Sequence, residues 1–201
     1  MAKKLLVDYI GSLEMSPAQI NESINRNDGK LIVTGIAQRA ESFNQNQRRY
    51  PFEVLKETCD RYKKIFIAER RAMGELDHPE SEVVNLGNVS HNMLDLWWEG
   101  NNLMCKMEIL GTPSGNIAKE LLKAGLRVGL SSRGMGSVKN LGEGKVEVED
   151  DFDIVCWDLV SNPSTQGAFM NPQLNESVKG TTTKGRYSVI DSLINDIISV
   201  M

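Results

Sequence analysis

Two long apolar runs, Val89–Trp98 (VSHNMLDLWW) and Asn102–Leu110 (NLMCKMEIL), are joined by the stretch Glu99-Gly100-Asn101-Asn102. Glycine and asparagine at the junction supply tight-turn chemistry, so the runs read as an antiparallel hairpin. Other segments fit a strand-rich chain. KLIVTGIAQ from Lys30 is β-branched and apolar, LRVGLSS from Leu126 is a short strand running into the glycine-rich Arg133–Ser137, and KVEVE from Lys145 alternates. DFDIVCWDLV, ending at Val160, is another strand, closed by SNPS. Helices are fewer. Phe52, Leu55, Cys59, Tyr62 and Phe66 recur at three- and four-residue spacing behind the polar loop Asn44–Pro51. Thr112-Pro113 reads as a helix cap followed by proline at the first helical position, with Ile117, Leu121 and Leu122 as its apolar face and Gly125 as its stop. The reading is a mainly β, α+β domain over residues 30–172.

Residues 1–29 are mixed and polar-rich, and are expected to be an N-terminal extension. Beyond Pro172 a polar linker, NESVKGTTTKG, leads to a helical stripe of Val189, Ile190, Leu193, Ile194, Ile197 and Ile198, so residues 173–201 are expected to be a separable linker and amphipathic helix. The chain has 201 residues, 40% hydrophobic and 25% charged, enough for one ordinary domain. A net charge of −4 gives no basic excess for nucleic acid. No apolar stretch is long enough for a membrane helix, and the start is too polar for a secretory signal. Cys59, Cys105 and Cys156 are odd in number and far apart, which fits neither a disulfide framework nor a zinc site, and suits a reduced, intracellular setting.

Only two histidines are present, His78 and His91. His78 lies in the irregular Leu76-Asp77-His78-Pro79, where a general base can be presented from a loop; His91 lies inside a strand. Ser131-Ser132-Arg133-Gly134 offers a nucleophile entering a glycine-rich turn, whose N–H groups could meet an oxyanion. A plain strand-to-turn transition is the alternative. Strand alternation places Ser132 with the core-facing Val128 and Leu130, and Ser131 with Arg133 on the other face, so Ser131 is the better nucleophile candidate. Asp158 sits in an apolar run and needs a partner there, which an imidazole would supply. Asp153, beside Asp150 and Asp151, is the rival, though a solvated acidic edge is its simpler reading, and metal binding has no supporting ligand pattern.

Taken in order, NxNxRxYP, GELDHP, the WW strand, TPSG, VGLSSRGMGS and the late strand with Asp158 resemble the prohead core proteases of tailed bacteriophages. The resemblance covers residues 30–172. It implies a small, mainly antiparallel β-barrel surrounded by helices, like the herpesvirus maturation protease. It implies a serine endopeptidase without a cofactor, with His78 as base, Ser131 as nucleophile, and Ser132, Arg133 and Gly134 around the oxyanion and substrate. The related herpesvirus enzymes use histidine as third member, but nothing after His91 can supply one, so Asp158 is taken and His91 and Asp153 stay open. The implied substrates are procapsid scaffold, core and capsid proteins inside the procapsid in the host cytoplasm, with self-association left open and no nucleic-acid or membrane partner. Cleavage is implied after glutamate in Leu/Ile-x-Glu contexts. Ile20-Asn21-Glu22/Ser23 and Leu174-Asn175-Glu176/Ser177 flank the expected domain, so self-trimming at Glu22 and Glu176 is expected. A non-catalytic core or scaffold protein with this fold is the alternative. A small-metabolite hydrolase of the α/β class is disfavoured by the absence of GxSxG.

Overall fold

A computed structural model describes residues 3–13, 16–79, 81–161 and 169–172. In chain order the strands are β1 (Lys4–Leu13), β2 (Leu31–Arg39), β3 (Arg48–Arg49), β4 (Met73–Glu75), β5 (Val89–Glu99), β6 (Asn102–Ile109), β7 (Val128–Gly136), β8 (Val138–Gly142), β9 (Lys145–Val148), β10 (Asp153–Val160) and β11 (Phe169–Pro172). Three α-helices, α1 (Pro17–Arg26), α2 (Phe52–Tyr62) and α3 (Pro113–Lys123), pack around them. No helix among the described residues is long and apolar enough to cross a membrane.

Eight strands form one sheet in the order β10-β7-β1-β11-β2-β6-β5-β4, and β3, β9 and β8 form a second. The expected hairpin is present: β5 and β6 pair from His91–Ile109 to Glu99–Asn102 around Gly100, whose φ of 57° is one that glycine adopts without strain. The pairing is mostly antiparallel, and the described residues show no closed barrel. Just past the outer strand β4, Leu76 makes an isolated bridge to Leu159 of the other outer strand, β10. β4 has only three residues, and the chain then turns at Asp77 (φ 67°), so a full ladder does not develop.

The N-terminal segment departs from its expected role as an extension. β1 lies between β7 and β11 and pairs antiparallel with β7 from Lys4–Gly136 to Leu13–Val128. The polar Asp8 in mid-strand breaks its apolar pattern, and its partners come from a loop about forty residues away, so local patterning hides the strand. α1 follows with a capping box: Ser16 Oγ accepts from the Gln19 N–H, and Gln19 Oε1 accepts from the Ser16 N–H. Ile20 enters the core, and Ser23 Oγ bonds both the N–H and C=O of Ile32.

The two other helices bury the faces their sequences allow. α2 buries Leu55, Thr58, Cys59 and Tyr62, and Tyr62 meets Trp157 of β10 edge-on at 5.2 Å. α3 starts at Thr112, whose Oγ1 accepts from the Gly115 N–H, and stops near Gly125 (φ 75°). Its buried face is Ala118 and Leu122 with Ser114 and Gly115, so the expected face is corrected: Ile117 points to solvent. Gly115 lets the helix approach closely, since a Cβ there would sit 2.1 Å from the Leu110 carbonyl.

β5 and β10 are tied by His91. Its Nε2–H donates to the Trp157 carbonyl (3.0 Å), and Nδ1 accepts from Ser90 Oγ (2.9 Å), a tautomer assigned from these partners. Gly74 of β4 makes room, because a Cβ there would lie 2.0 Å from the Trp157 carbonyl and 2.4 Å from the His91 ring.

Two outcomes follow from this arrangement. Deleting residues 1–13 strips a strand from the middle of the sheet, and the product is expected to lose its cooperative thermal transition in calorimetry, whereas a dispensable extension would leave it unchanged. The second concerns acid. Burial, the largest influence, lowers the His91 pKa from 6.5 to about 4. The unfolded chain then binds a proton that the folded one refuses, so the stability contributed by neutral His91 is complete above pH 6.5 and is lost as pH falls towards 4. Urea titrations at pH 7 and pH 4.5 should show this loss, and His91→Gln should flatten the difference.

Candidate active site

Ser131 of β7 lies directly opposite Asp158 of β10 in an antiparallel pair, which puts both side chains on one face. His78 reaches the same face from the turn after β4. The Asp77 N–H donates to the Leu159 carbonyl (2.7 Å), and the left-handed backbone at Asp77 turns the chain so that His78 points back over β10. His78 Nδ1 lies 2.7 Å from Asp158 Oδ2. With Nδ1–H donating to the carboxylate, Nε2 is left as the proton-accepting nitrogen. Motifs separated widely in sequence therefore bring His78, Asp158 and Ser131 to one face of two neighbouring strands.

Asp158 is fully buried and its charge is compensated from three sides. The Glu75 N–H donates to Oδ1 (3.0 Å), His78 holds Oδ2, and the Arg133 guanidinium lies against both oxygens, with Nη2 3.2 Å from Oδ1 and Nε 3.0 Å from Oδ2. Burial, the largest single influence, pushes its pKa up, but His78, the Glu75 amide and Arg133 together hold it below the usual 3.8. Asp158 is thus an anion at neutral pH.

Arg133 does not take the oxyanion place expected of it. Its guanidinium is 0% exposed and bonds Glu75 Oε1 (2.8 Å), the Ser81 carbonyl (2.7 Å) and Cys156 Sγ (3.0 Å) as well as Asp158. A cation without access to water must be paired, and these groups are what surround it. Glu75 was not singled out by sequence reasoning. It accepts from Arg133 and from the Asn85 N–H (3.0 Å), so it also braces the segment after His78. The available signal was its place in GELDHP, three residues before the histidine.

The glycine-rich turn is also absent. β7 runs unbroken through Gly136, and residues 132–134 pair with β1 on one side and β10 on the other. Ser132 faces the opposite side of the sheet from Ser131. Gly134 serves packing, since a Cβ there would lie 2.5 Å from the Phe152 ring. Both faces of β7 are covered, so alternation separates the two serines but exposes neither.

Ser131 itself is 0% exposed, and its Oγ–H donates to the main-chain carbonyl of Asp8 in β1 (2.8 Å). The Asp8 carboxylate, on the other side of β1, is gripped by Arg48 Nη1 (2.8 Å), Asn46 Nδ2 (3.0 Å) and the Tyr50 hydroxyl. The polar loop Asn44–Pro51 is therefore the anchor of the strand that lies against the nucleophile candidate.

The rivals lie elsewhere. His91 bonds Ser90 and the Trp157 carbonyl, and Asp153 pairs with Arg61 and Lys3 at the exposed start of β10. Glu22 and Ser23 are inside α1, and Ser23 is buried, so the premise of a flexible, accessible cleavage segment fails there. Glu176 and Ser177 lie outside the described residues. Among the described residues no cluster of three His, Cys, Asp or Glu could hold a metal ion.

Comparison with known proteins gives the family of the chain. The family model described as "Prohead core protein serine protease" matches residues 6–179. The chain is 31% identical over 147 residues to the prohead core protein protease of Enterobacteria phage T4, covering 71% of this chain and 69% of that protein. The solved structure of the bacteriophage T4 capsid assembly protease, gp21, superposes with a TM-score of 0.67 at 25% identity, over 80% of this chain and 99% of that one. The β1 segment, which the motifs alone had left outside the domain, falls within the family match almost from its start. On the extent of that match, this chain belongs to the prohead core protein serine protease family.

Proposed function

We propose that this protein is a capsid maturation protease acting as a serine endopeptidase, with Ser131 as nucleophile, His78 as general base and acid, and Asp158 as the group that orients and charges the imidazole. The observation that carries the reading is the 2.7 Å contact between His78 Nδ1 and an ionised, buried Asp158 on the face that bears Ser131. Asp158 fixes the tautomer in which Nε2 carries the lone pair and stabilises the imidazolium that forms. When the Ser131 hydroxyl turns from the Asp8 carbonyl, its proton passes to His78 Nε2 and Oγ attacks the peptide carbonyl. His78 then gives that proton to the leaving amine, and water, deprotonated by the same nitrogen, hydrolyses the acyl-enzyme and restores Ser131. Arg133 and Glu75 act through Asp158 and do not touch the substrate.

The substrates in this reading are procapsid core, scaffold and capsid proteins, met inside the procapsid, with cleavage after glutamate in Leu/Ile-x-Glu contexts. Support comes from the similarity to the prohead core protein protease of phage T4 and to the T4 capsid assembly protease gp21. Of the two self-cleavage sites, the bond after Glu176 is retained, because it lies in the polar segment past β11. A non-catalytic assembly role has one observation in its favour, the complete burial of Ser131.

The test combines reactivity and turnover. A fluorophosphonate probe should label Ser131 in the wild-type chain, and mass spectrometry of protein incubated with procapsid core protein should show cuts after glutamate. Ser131→Ala and His78→Ala are each expected to lower turnover by roughly four to six decades, and Asp158→Asn by about four, with circular dichroism unchanged for Ser131→Ala. Cuts that persist in Ser131→Ala, or labelling at another serine, would reject the assignment.

A further inference from the structure

α3 ends in a Schellman motif: the Gly125 N–H donates to the Leu122 carbonyl (2.9 Å) and the Leu126 N–H to the Leu121 carbonyl (3.0 Å). The motif seats Leu126 beside Leu121, and Ile117 lies one turn before Leu121 on the same helix face. The three form an apolar strip at the surface, with Ile117 54% exposed, Leu126 53% exposed and Leu121 half-buried. Leu121 joins two open hollows. One, of about 440 Å³, is bounded by Asn116, Ile117, Glu120 and Leu121. The other, of about 470 Å³, takes in Leu121 and Leu126 together with Val128, Leu159, Val160 and Leu76. An aliphatic surface that runs on over two hollows is suited to an apolar stripe.

The chain itself leaves the sheet beside this strip. β11 runs parallel to β1 with Met170 beside Leu13, and Leu13 pairs with Val128 on the other side of β1. Asn171 and Pro172 therefore continue past the end of β1, at the edge where Leu126–Val128 enters β7. α1 lies against both β11 and α3 at that edge. Sixteen residues, 173–188, separate Pro172 from Val189. Extended they span roughly 50 Å, and as a flexible coil about 22 Å. Beyond them Val189, Ile190, Leu193, Ile194, Ile197 and Ile198 are spaced to fall on one half of a helix, with Asp191, Ser192, Asn195 and Asp196 on the other. A helix over residues 189–198 is about 15 Å long and too short to persist alone in water.

We propose that residues 189–198 dock as an amphipathic helix on the strip Ile117–Leu121–Leu126, with aliphatic side chains in the two hollows. The occupant is the chain's own segment rather than a second copy because a tether of this length holds the stripe near the strip at an effective concentration of about millimolar. Leu76 and Val160 in the second hollow are two residues along the chain from His78 and Asp158, so the docked segment borders the candidate active site, and the bond after Glu176 lies within its tether. Docking needs no catalytic step and stands apart from the serine-protease reading.

The experiment uses the full-length Ser131→Ala chain, so that no trimming intervenes, with photoreactive benzoylphenylalanine in place of Leu193. Light and isotope-labelled forms are mixed in equal amounts. Irradiation should crosslink position 193 to the segment 117–128, and each crosslinked pair should carry a single label. In the same chain without the photoprobe, amide exchange over residues 189–198 should be at least about tenfold slower than in a synthetic peptide of residues 185–201. Leu126→Asp should abolish that difference, because its carboxylate would be buried against aliphatic side chains. Ile117→Asp, on the outer side of α3, should do the same without touching the helix end. Mixed-label crosslinks would give the strip to a second copy and overturn the proposal. So would crosslinks to another surface, no crosslinks at all, exchange as fast as in the free peptide, or slow exchange indifferent to both aspartate variants.

Discussion

A carboxylate buried at the centre of a sheet must be compensated, and the arrangement around Asp158 answers that requirement. Arg133 lies between it and a second buried acid, Glu75; Glu75 in turn takes the Asn85 amide and so fixes the segment after His78. Three elements, β4, β7 and β10, thus share one network of charges. Removing Arg133 would leave two carboxylates without their cation away from water, and breaking a comparable buried pair costs roughly 3–5 kcal/mol. The same network keeps Asp158 ionised and holds its Oδ2 2.7 Å from His78 Nδ1, the contact on which the proposed role of His78 rests. Stability and chemistry therefore depend on the same atoms.

A second buried anion, Asp8, works on the other side of the nucleophile candidate. Arg48, Asn46 and Tyr50 close on its carboxylate, while its carbonyl takes the Ser131 hydroxyl. β1 is in this way both a structural member of the sheet and the immediate neighbour of the proposed nucleophile. The segment that carries Asn46, Arg48 and Tyr50 holds only the two-residue β3, too short for a periodicity to justify its residues. Its composition makes sense once three donors are seen to converge on one acid.

Some of this could be read along the chain. The β5–β6 hairpin, the caps of α3 and the face of α2 follow from turn chemistry, capping and three-to-four-residue spacing, all of which act between near neighbours. His78, Ser131 and Asp158 stood out because a lone histidine in a loop, a serine beside glycines and an acid in an apolar run are chemically conspicuous. Sequence reasoning went wrong where a residue's partner is distant. It placed β1 outside the domain, gave Arg133 to the oxyanion, took β7 to end in a turn and left Glu75 unnoticed.

The amino-acid sequence alone determined the local elements, the family motifs and which side chains are chemically able to form the site. Only the tertiary structure decided that Ser131 faces Asp158 across a strand pair, that Arg133 and Glu75 serve the carboxylate, and that Asp8 of an N-terminal strand covers the serine. The physical reason is the range of the forces concerned. Backbone preference and amphipathic spacing are set within a few residues, but a buried charge is satisfied by whatever donors the folded chain brings to it, and nothing in local pattern names them.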